Sequence, residues 1–414
     1  MEPSTLTLIV LCISSILFAT EIIPLAATAM GSAIALGLLG VLTPQQVFSG
    51  LSNSTVVLFA GMFVIGAAMF QTGLAQKIGV TVVKAAGTGE KRLMFALVLV
   101  TVVLSAVSSN TATVACLLPV VVQICAAAKL SASSQLMSLA VAANVGGTIT
   151  LIGTPPNILM SATLENSGMS PFGFFEFAWI GIPLLYMMTI GRRLCPHDNV
   201  DTVASDSTSE APGNSKKMMV CAGILCGVVL AMVFEKQINV PMHVSSVIGA
   251  LACVLTGCLS EKQAYKGVDW TTIFLFAGML PLASAMDKTG AGGMIANTVV
   301  DMIGGNPDPM VIVVAMFLLS CGLTQFMSNT ASAALLAPIG LSIAQSIGVS
   351  PLPILMTIGI AASCAFTTPV ATPPNTLVLG PGKFRFMDYV KIGTPLVAFS
   401  LAVCMLVIPA VWPF

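Results

Sequence analysis

Two short stretches carry most of the chemistry this chain can do. Residues 108–119 read SSNTATVACLLP and residues 327–338 read MSNTASAALLAP. Ser109, Asn110 and Thr111, and again Ser328, Asn329 and Thr330, supply hydroxyls and an amide that both donate and accept hydrogen bonds. A helix starting at such a tip also offers unpaired backbone N–H groups and the positive end of its dipole. That combination suits an oxyanion such as a carboxylate. Some 45 residues further on, GTPPN (153–157) is answered by ATPPN (371–375). Two adjacent prolines remove two N–H donors and break a helix, leaving carbonyl oxygens unpaired. Carbonyls and hydroxyls are hard, neutral ligands that suit a small cation such as Na⁺. Each pair of motifs thus offers an anion half-site beside a cation half-site.

A single SNT inside a membrane segment would be read as a kink or a hydrogen-bonding patch between helices. A lone TPP would be a plain helix break. Doubling both motifs at one spacing, in sequence otherwise free of polar clusters, turns the reading towards a site. From Leu93 to Leu164 the only charged residue is Lys129, and from Pro309 to Gly382 there is none. The site must therefore work without charged side chains from these segments. Proton-coupled carriers place an Asp, Glu or His in the membrane to take the proton, so sodium coupling or anion exchange fits better. Glu21, Glu165, Glu176, Glu235 and Asp287 fall near expected span ends. An enzyme would need a nucleophile–base pair or metal cluster here, and the sequence offers neither. The eleven cysteines lack metal-ligand spacing and read as small apolar filler. His197 and His243 are too far apart to build a metal site.

The elements that must hold these residues are membrane helices. The chain has 414 residues, 56% hydrophobic and 8% charged, whereas a soluble chain needs roughly a quarter charged. Zero net charge gives no reason to expect nucleic acid. The apolar opening LTLIVLCISSILFA has no basic n-region, so it reads as a first span. Spans are expected near 5–20, 25–42, 54–74, 132–165, 171–191, 218–235, 242–258, 271–288, 352–381 and 390–412. Two further runs, 93–128 and 309–342, are about 35 residues long and carry SNT near the middle. A straight helix of that length overshoots a ~30 Å hydrocarbon core, whereas a helix–break–helix hairpin fits. The stretch 194–217 is polar and Ser-rich, a cytoplasmic linker. With ten crossings and two re-entrant hairpins, fourteen of the sixteen basic residues share one face, and only Lys236 and Lys288 fall on the other. Positive residues favour the cytoplasm, so both termini should face outward.

The motifs belong to a longer duplication. FAGM at 59–62 recurs at 276–279, Pro24 matches Pro241 and Gly50 matches Gly267, all 217 apart. The SNT pair lies 219 apart and the TPPN pair 218 apart. Near-constant offsets over most of the chain mark an internal repeat. Each copy has five crossings and a hairpin; five is odd, so the copies lie inverted in the membrane. The expected fold is an all-α polytopic membrane protein of two inverted-topology repeats, 1–193 and 218–414. Inverted repeats with paired broken segments are the sign of a secondary transporter whose site lies near mid-membrane.

Paired SNT hairpins, each followed by a TPPN-type break, resemble the divalent anion/sodium symporter family of sodium–dicarboxylate and sodium–sulfate cotransporters. The resemblance runs from about residue 5 to 412. This chain is shorter than many members, and the resemblance leads one to expect that it lacks the extra N-terminal helix that precedes the first repeat in them. The resemblance implies that Ser109, Asn110, Thr111, Ser328, Asn329 and Thr330 contact substrate carboxylates, with Thr372 and Pro373 beside them. It also implies one Na⁺ site at Ser105, Ser109, Asn110 and the Gly153 carbonyl, and a twin at Thr324, Asn329 and the Ala371 carbonyl. A homodimer follows from the same resemblance, in which a transport part (92–193 and 305–414) slides elevator-fashion against a scaffold (1–91 and 218–304). The function expected is sodium-coupled uptake of C4-dicarboxylates such as succinate, fumarate or malate across the cell membrane. A sulfate-type symporter or a sodium-independent dicarboxylate exchanger of the same fold would use the same groups.

Overall fold

The computed structural model describes residues 2–86, 89–128, 130–185, 215–303 and 308–414. The expected linker up to residue 214 lies outside them, as do Lys129, Arg192 and Arg193. Among the described residues the chain is all helical. The first half contributes α1 (Pro3–Thr20), α2 (Leu25–Leu38), α3 (Ser54–Gln71), α4 (Leu74–Ala86) and α5 (Glu90–Val107). It continues with α6 (Asn110–Ala128), α7 (Ala132–Gly147), α8 (Pro155–Asn166) and α9 (Ala178–Leu185). The second half contributes α10 (Ser215–Val233), α11 (Met242–Leu255), α12 (Trp270–Thr289), α13 (Ala291–Ile303) and α14 (Pro309–Thr324). Its last helices are α15 (Asn329–Ile347), α16 (Pro351–Ser363), α17 (Pro373–Leu379) and α18 (Phe386–Val411).

Six of these helices, α1, α3, α10, α12, α15 and α18, are long and apolar enough to cross a membrane, and several shorter ones are apolar as well. On α1 the exposed residues include Ile9, Ile13 and Ile16, and on α18 Met387 and Leu406. In water such faces would be a liability; against lipid tails they are the expected surface. By contrast α7 is buried along its whole length. Enclosed on every side, with Ser133, Ser134, Gln135, Ser138 and Asn144 among its buried residues, α7 is a core helix, and it packs on α5 and α6.

Both 35-residue apolar runs are broken where the sequence analysis expects. Between α5 and α6 the chain breaks at Ser108–Ser109, and α14 ends at Thr324 before α15 starts at Asn329. The runs 132–165 and 352–381 break as well, but upstream of the prolines. Pro155 and Pro373 open α8 and α17 at the first helical position. There a missing N–H costs nothing, because that donor has no partner inside the helix anyway. The irregular backbone is Thr148–Thr154 and Cys364–Thr372 instead. Two amphipathic helices, α4 and α13, do not appear among the sequence-based spans, because Lys77 and Asp301 interrupt their apolar character.

The halves pack across one another: α2 against α12, and α3 against α11. Both crossings depend on a glycine of the FAGM motif. A Cβ on Gly278 would lie 2.3 Å from the Ala29 carbonyl carbon, and one on Gly61 2.8 Å from that of Ser246. Without hydrophobic drive between helices in lipid, close backbone approach at small residues holds them together. A second group, α5 to α8 with α14 to α17, packs together around the breaks.

Candidate functional site

A cavity of about 510 Å³ lies where the broken helices meet. It is lined by Ser109, Asn110 and Thr111 at the start of α6, and by Ser328, Asn329 and Thr330 at the start of α15. Thr154 and Pro155 at the start of α8 join them, as do Thr372 and Pro373 at the start of α17. Four helix N-termini therefore border one space whose lining contains no Lys or Arg. Partial positive charge from N–H groups and dipoles takes the place of cationic side chains. Ser328 Oγ accepts from the Ala331 N–H at 3.2 Å, and Ser109 Oγ sits 3.5 Å from the Ala112 N–H. Thr154 and Thr372 stand at cap positions yet do not cap their own helices, and the Thr372 hydroxyl instead accepts from Asn144 Nδ2 at 3.4 Å.

Behind each SNT tip lies a cluster of oxygens. Ser105 Oγ is 2.6 Å from Asn110 Oδ1 and 2.7 Å from the Ala143 carbonyl oxygen. Its single proton can serve only one of these acceptors. The same atom of the Asn110 amide lies 3.2 Å from the Ala143 oxygen and 3.3 Å from the Gly153 oxygen. With Oδ1 turned inward, four oxygens face one another with one proton among them, an arrangement a hard cation satisfies. Turned over, the amide donates to the same three oxygens and holds the cluster together by itself. The second cluster has the same construction. Thr324 Oγ1 is 2.7 Å from Asn329 Oδ1 and 2.7 Å from the Ala362 carbonyl oxygen, and Ala371 lines the same cavity as Asn329.

Neutral side chains fix the irregular backbone. Asn157 Nδ2 donates to the oxygens of Gly147 (3.2 Å) and Thr150 (2.9 Å), and Asn375 Nδ2 to those of Ala365 and Thr368 (2.9 Å each). The asparagine of each TPPN motif thus pairs the carbonyls that the break would orphan. The approach needs glycine: a Cβ on Gly147 would lie 2.8 Å from Asn110 Oδ1 and 3.1 Å from the Gly153 oxygen.

All the residues named from the sequence border this cavity or its two clusters. The Ala143 and Ala362 carbonyls, Asn144, Asn157 and Asn375 were not among them. Main-chain ligands have no residue signature, but the asparagines stand out in apolar segments and the TPPN motif already contains two of them. The opposite wall comes from α3 and the start of α12, with Phe59, Phe63, Phe70, Thr271 and Leu275. Asp269 also lines it, a carboxylate beyond the uncharged segments considered from sequence. Its Oδ1 accepts from the N–H groups of Thr271 (3.1 Å) and Thr272 (3.3 Å), and its Oδ2 accepts from Thr272 Oγ1 at 2.5 Å. This carboxylate therefore neutralises the dipole of α12, the one helix start at the cavity that bears an acid.

Broken helices facing one polar cavity inside an apolar bundle define a multi-pass membrane transporter. The chain belongs to the CitMHS family, described as citrate transporter, which it matches over residues 15–348 and 294–414, within the divalent anion/sodium symporter superfamily. An uncharacterized transporter of Escherichia coli, YfbS, is 27% identical, with 98% of each chain covered. An uncharacterized transporter of Haemophilus influenzae is 30% identical over 93% of this chain and 87% of its own length. A sodium-dependent dicarboxylate transporter, SdcS, of Staphylococcus saprophyticus is 28% identical over 94% of this chain and 82% of its own. Among solved structures, the YdaH transporter of Alcanivorax borkumensis shares the fold with a TM-score of 0.66 at 15% identity, covering 99% of this chain and 98% of that one.

Proposed function

We propose that the protein is a sodium-coupled importer of C4-dicarboxylates such as succinate, fumarate or malate, working by elevator-type alternating access. The observation that carries this reading is the doubled cluster: two sets of closely spaced oxygens, each directly behind a helix start that faces a common cavity. A dianion between two such tips meets four helix N-termini but no fixed cation, so co-bound Na⁺ would balance its charge. The SdcS relatives, named as sodium-dependent dicarboxylate transporters, support the same choice. In this reading Ser109, Asn110, Thr111, Ser328, Asn329, Thr330, Thr372 and Pro373 hold the anion. Ser105, Ser109, Asn110 and Gly153 hold one Na⁺, and Thr324, Asn329 and Ala371 the other, with the Ala143 and Ala362 carbonyls added.

The two halves act as inverted repeats with re-entrant hairpins at α5–α6 and α14–α15, and the transport part slides against the scaffold of a homodimer. With both termini outside, α3 runs inward. The cavity borders the inner end of α3, at Ala67 and Phe70, and the inner start of α12, at Gly267 and Asp269; the site therefore opens to the cytoplasm. Uptake of labelled succinate, citrate and sulfate into proteoliposomes, with and without an inward sodium gradient, tests the reading. Succinate uptake should rise steeply with sodium and need no proton gradient. Full activity with choline in place of sodium would point to exchange. Citrate taken up in preference to succinate would replace the substrate class with the one for which the family is described.

A further inference from the structure

The two clusters are bridged by one residue that the duplication does not repeat. Asn144, on α7, is 1% exposed. Its Nδ2 lies 3.4 Å from Thr372 Oγ1 and 3.3 Å from Asn375 Oδ1, both in the second half of the chain. The residue before it, Ala143, gives its carbonyl to the Ser105 hydroxyl in the first cluster. The residue before Thr372 is Ala371, which lines the same cavity as Asn329 of the second cluster. Asn375 in turn holds the break that precedes it, through the Ala365 and Thr368 oxygens. One amide therefore joins the backbone of one cluster to the loop of the other.

The mirror link is missing. At the repeat offset of 219, Asn144 corresponds to Ser363, whose hydroxyl turns back to the Gly359 carbonyl in its own helix at 3.2 Å. Asn157 corresponds to Asn375, and Asn157 Oδ1 is buried with no hydrogen-bond partner among the described residues. In the second half the equivalent oxygen is the one that faces Asn144. The orphaned acceptor on Asn157 thus marks where a second bridge would sit if residue 363 were long enough to reach. The contacts at 3.3–3.4 Å are long for hydrogen bonds, which suits a link that tightens when the loop it touches is ordered.

We propose that Asn144 is a positioning residue that couples the two cation sites. Filling the first cluster fixes Ala143 and α7, and Asn144 transmits that order to Thr372, Asn375 and the loop of the second. Coupling of this kind is a shared free energy between sites and appears as steeper than independent binding. The proposal rests on the reading of both clusters as Na⁺ sites.

The test is succinate uptake as a function of sodium concentration in proteoliposomes, normalised to inserted protein, for the wild type, Asn144→Ala, Asn144→Ser and Ser363→Asn. The wild type should give a Hill coefficient approaching about 2, as two coupled cations require. Asn144→Ala should lower it towards about 1 and raise the half-saturating sodium several-fold, while uptake at saturating sodium falls much less. Asn144→Ser installs the short side chain found at position 363. It should behave like Asn144→Ala and serves as the test should the alanine variant fail to insert. Ser363→Asn, which supplies the missing partner for Asn157, should keep the wild-type steepness or increase it. Unchanged steepness in both Asn144 variants, with only maximal uptake reduced, would leave Asn144 a structural residue and overturn the coupling. Sodium-independent uptake by the wild type is a distinct result, which removes the cation sites themselves and the coupling with them.

Discussion

Each SNT asparagine stands between two tasks. Asn110 turns an amide towards Ser105, Ala143 and Gly153 on one side and borders the cavity on the other; Asn329 does the same with Thr324. Replacing either by Asp keeps the shape but removes two donors and adds a negative charge where the proposed anion would bind. At ~4 Å and an effective dielectric of ~20, like-charge repulsion is on the order of 4 kcal/mol, enough to abolish useful affinity. Asn→Ala loses hydrogen bonds instead, at roughly 1–3 kcal/mol. Thr113→Ala is the control. Its hydroxyl is buried without a hydrogen-bond partner among the described residues, so removing it should leave transport close to normal. Uptake by membrane-inserted variants decides the matter, and near-normal transport by Asn110→Asp or Asn329→Asp would sink the assignment of the tips as the anion site. These residues were readable in the sequence because polar side chains are rare in it and these recur. The Ala143 and Ala362 carbonyls were not, since any residue type can present a carbonyl and only the path of the backbone decides which one faces the cluster. Asp269 was missed for a different reason. It lies outside both motifs and enters the cavity only through the packing of α12.

At the scale of elements, the breaks at SNT and TPPN were legible because a 35-residue apolar run is too long for a bilayer and proline cannot continue a helix. The SNT breaks fall where expected, whereas those at TPPN lie several residues upstream of the prolines. Proline signals the end of a helix in the sequence, whereas Pro155 and Pro373 begin the next one, and Asn157 and Asn375 take up the carbonyls upstream. Repeated FAGM was visible as repetition but not as contact. Its glycines bring α12 within backbone distance of α2, and α3 within that of α11. Gly278→Ala would set a methyl 2.3 Å from the Ala29 carbonyl carbon, and neither backbone can yield without shifting a whole helix. Overpacking of this kind costs typically 1–3 kcal/mol. The variant should melt several degrees below wild type when followed by tryptophan fluorescence in detergent. Gly31→Ala, in α2 with nothing within 4 Å of its new Cβ, should hold or gain stability, because alanine favours a helix over glycine. Equal melting temperatures for the two would mean that the α2–α12 crossing is not held by close approach.

For the molecule as a whole, the proposed alternating access requires one end of the site to be tied shut while the other is open, and among the described residues the polar ties between α3 and α8 lie at one end only. The Glu165 carboxylate at the end of α8 accepts from the hydroxyls of Ser54 and Thr55, the latter at 2.9 Å, at the start of α3. Asn53 Nδ2 donates to Asn166 Oδ1 at 3.1 Å beside it, while Asn53 Oδ1 caps α3. At the repeat offsets, Ser54 and Thr55 correspond to Thr271 and Thr272, and Glu165 to Lys383. Lys383 is exposed, and among the described residues no ion pair joins it to Asp269. In the proposed cycle and orientation, a tie at the inner end would bring Lys383 to the Asp269 side of α12, a charged pair in place of the carboxylate–hydroxyl contact at the outer end. Glu165→Gln should therefore weaken the inward-open state. Losing about 1.4 kcal/mol of charge-assisted hydrogen bonding shifts a two-state balance about tenfold. Lys383→Glu, which sets like charges against each other at the inner end, should favour the inward-open state instead. A single cysteine at position 70, on the cavity wall near the end of α3 that the proposed orientation places inside, reports the difference in a cysteine-free background. Its labelling by an impermeant reagent from the cytoplasmic face should slow in Glu165→Gln and hold or quicken in Lys383→Glu. Equal labelling in the two variants would mean that these ends are not where the transporter closes.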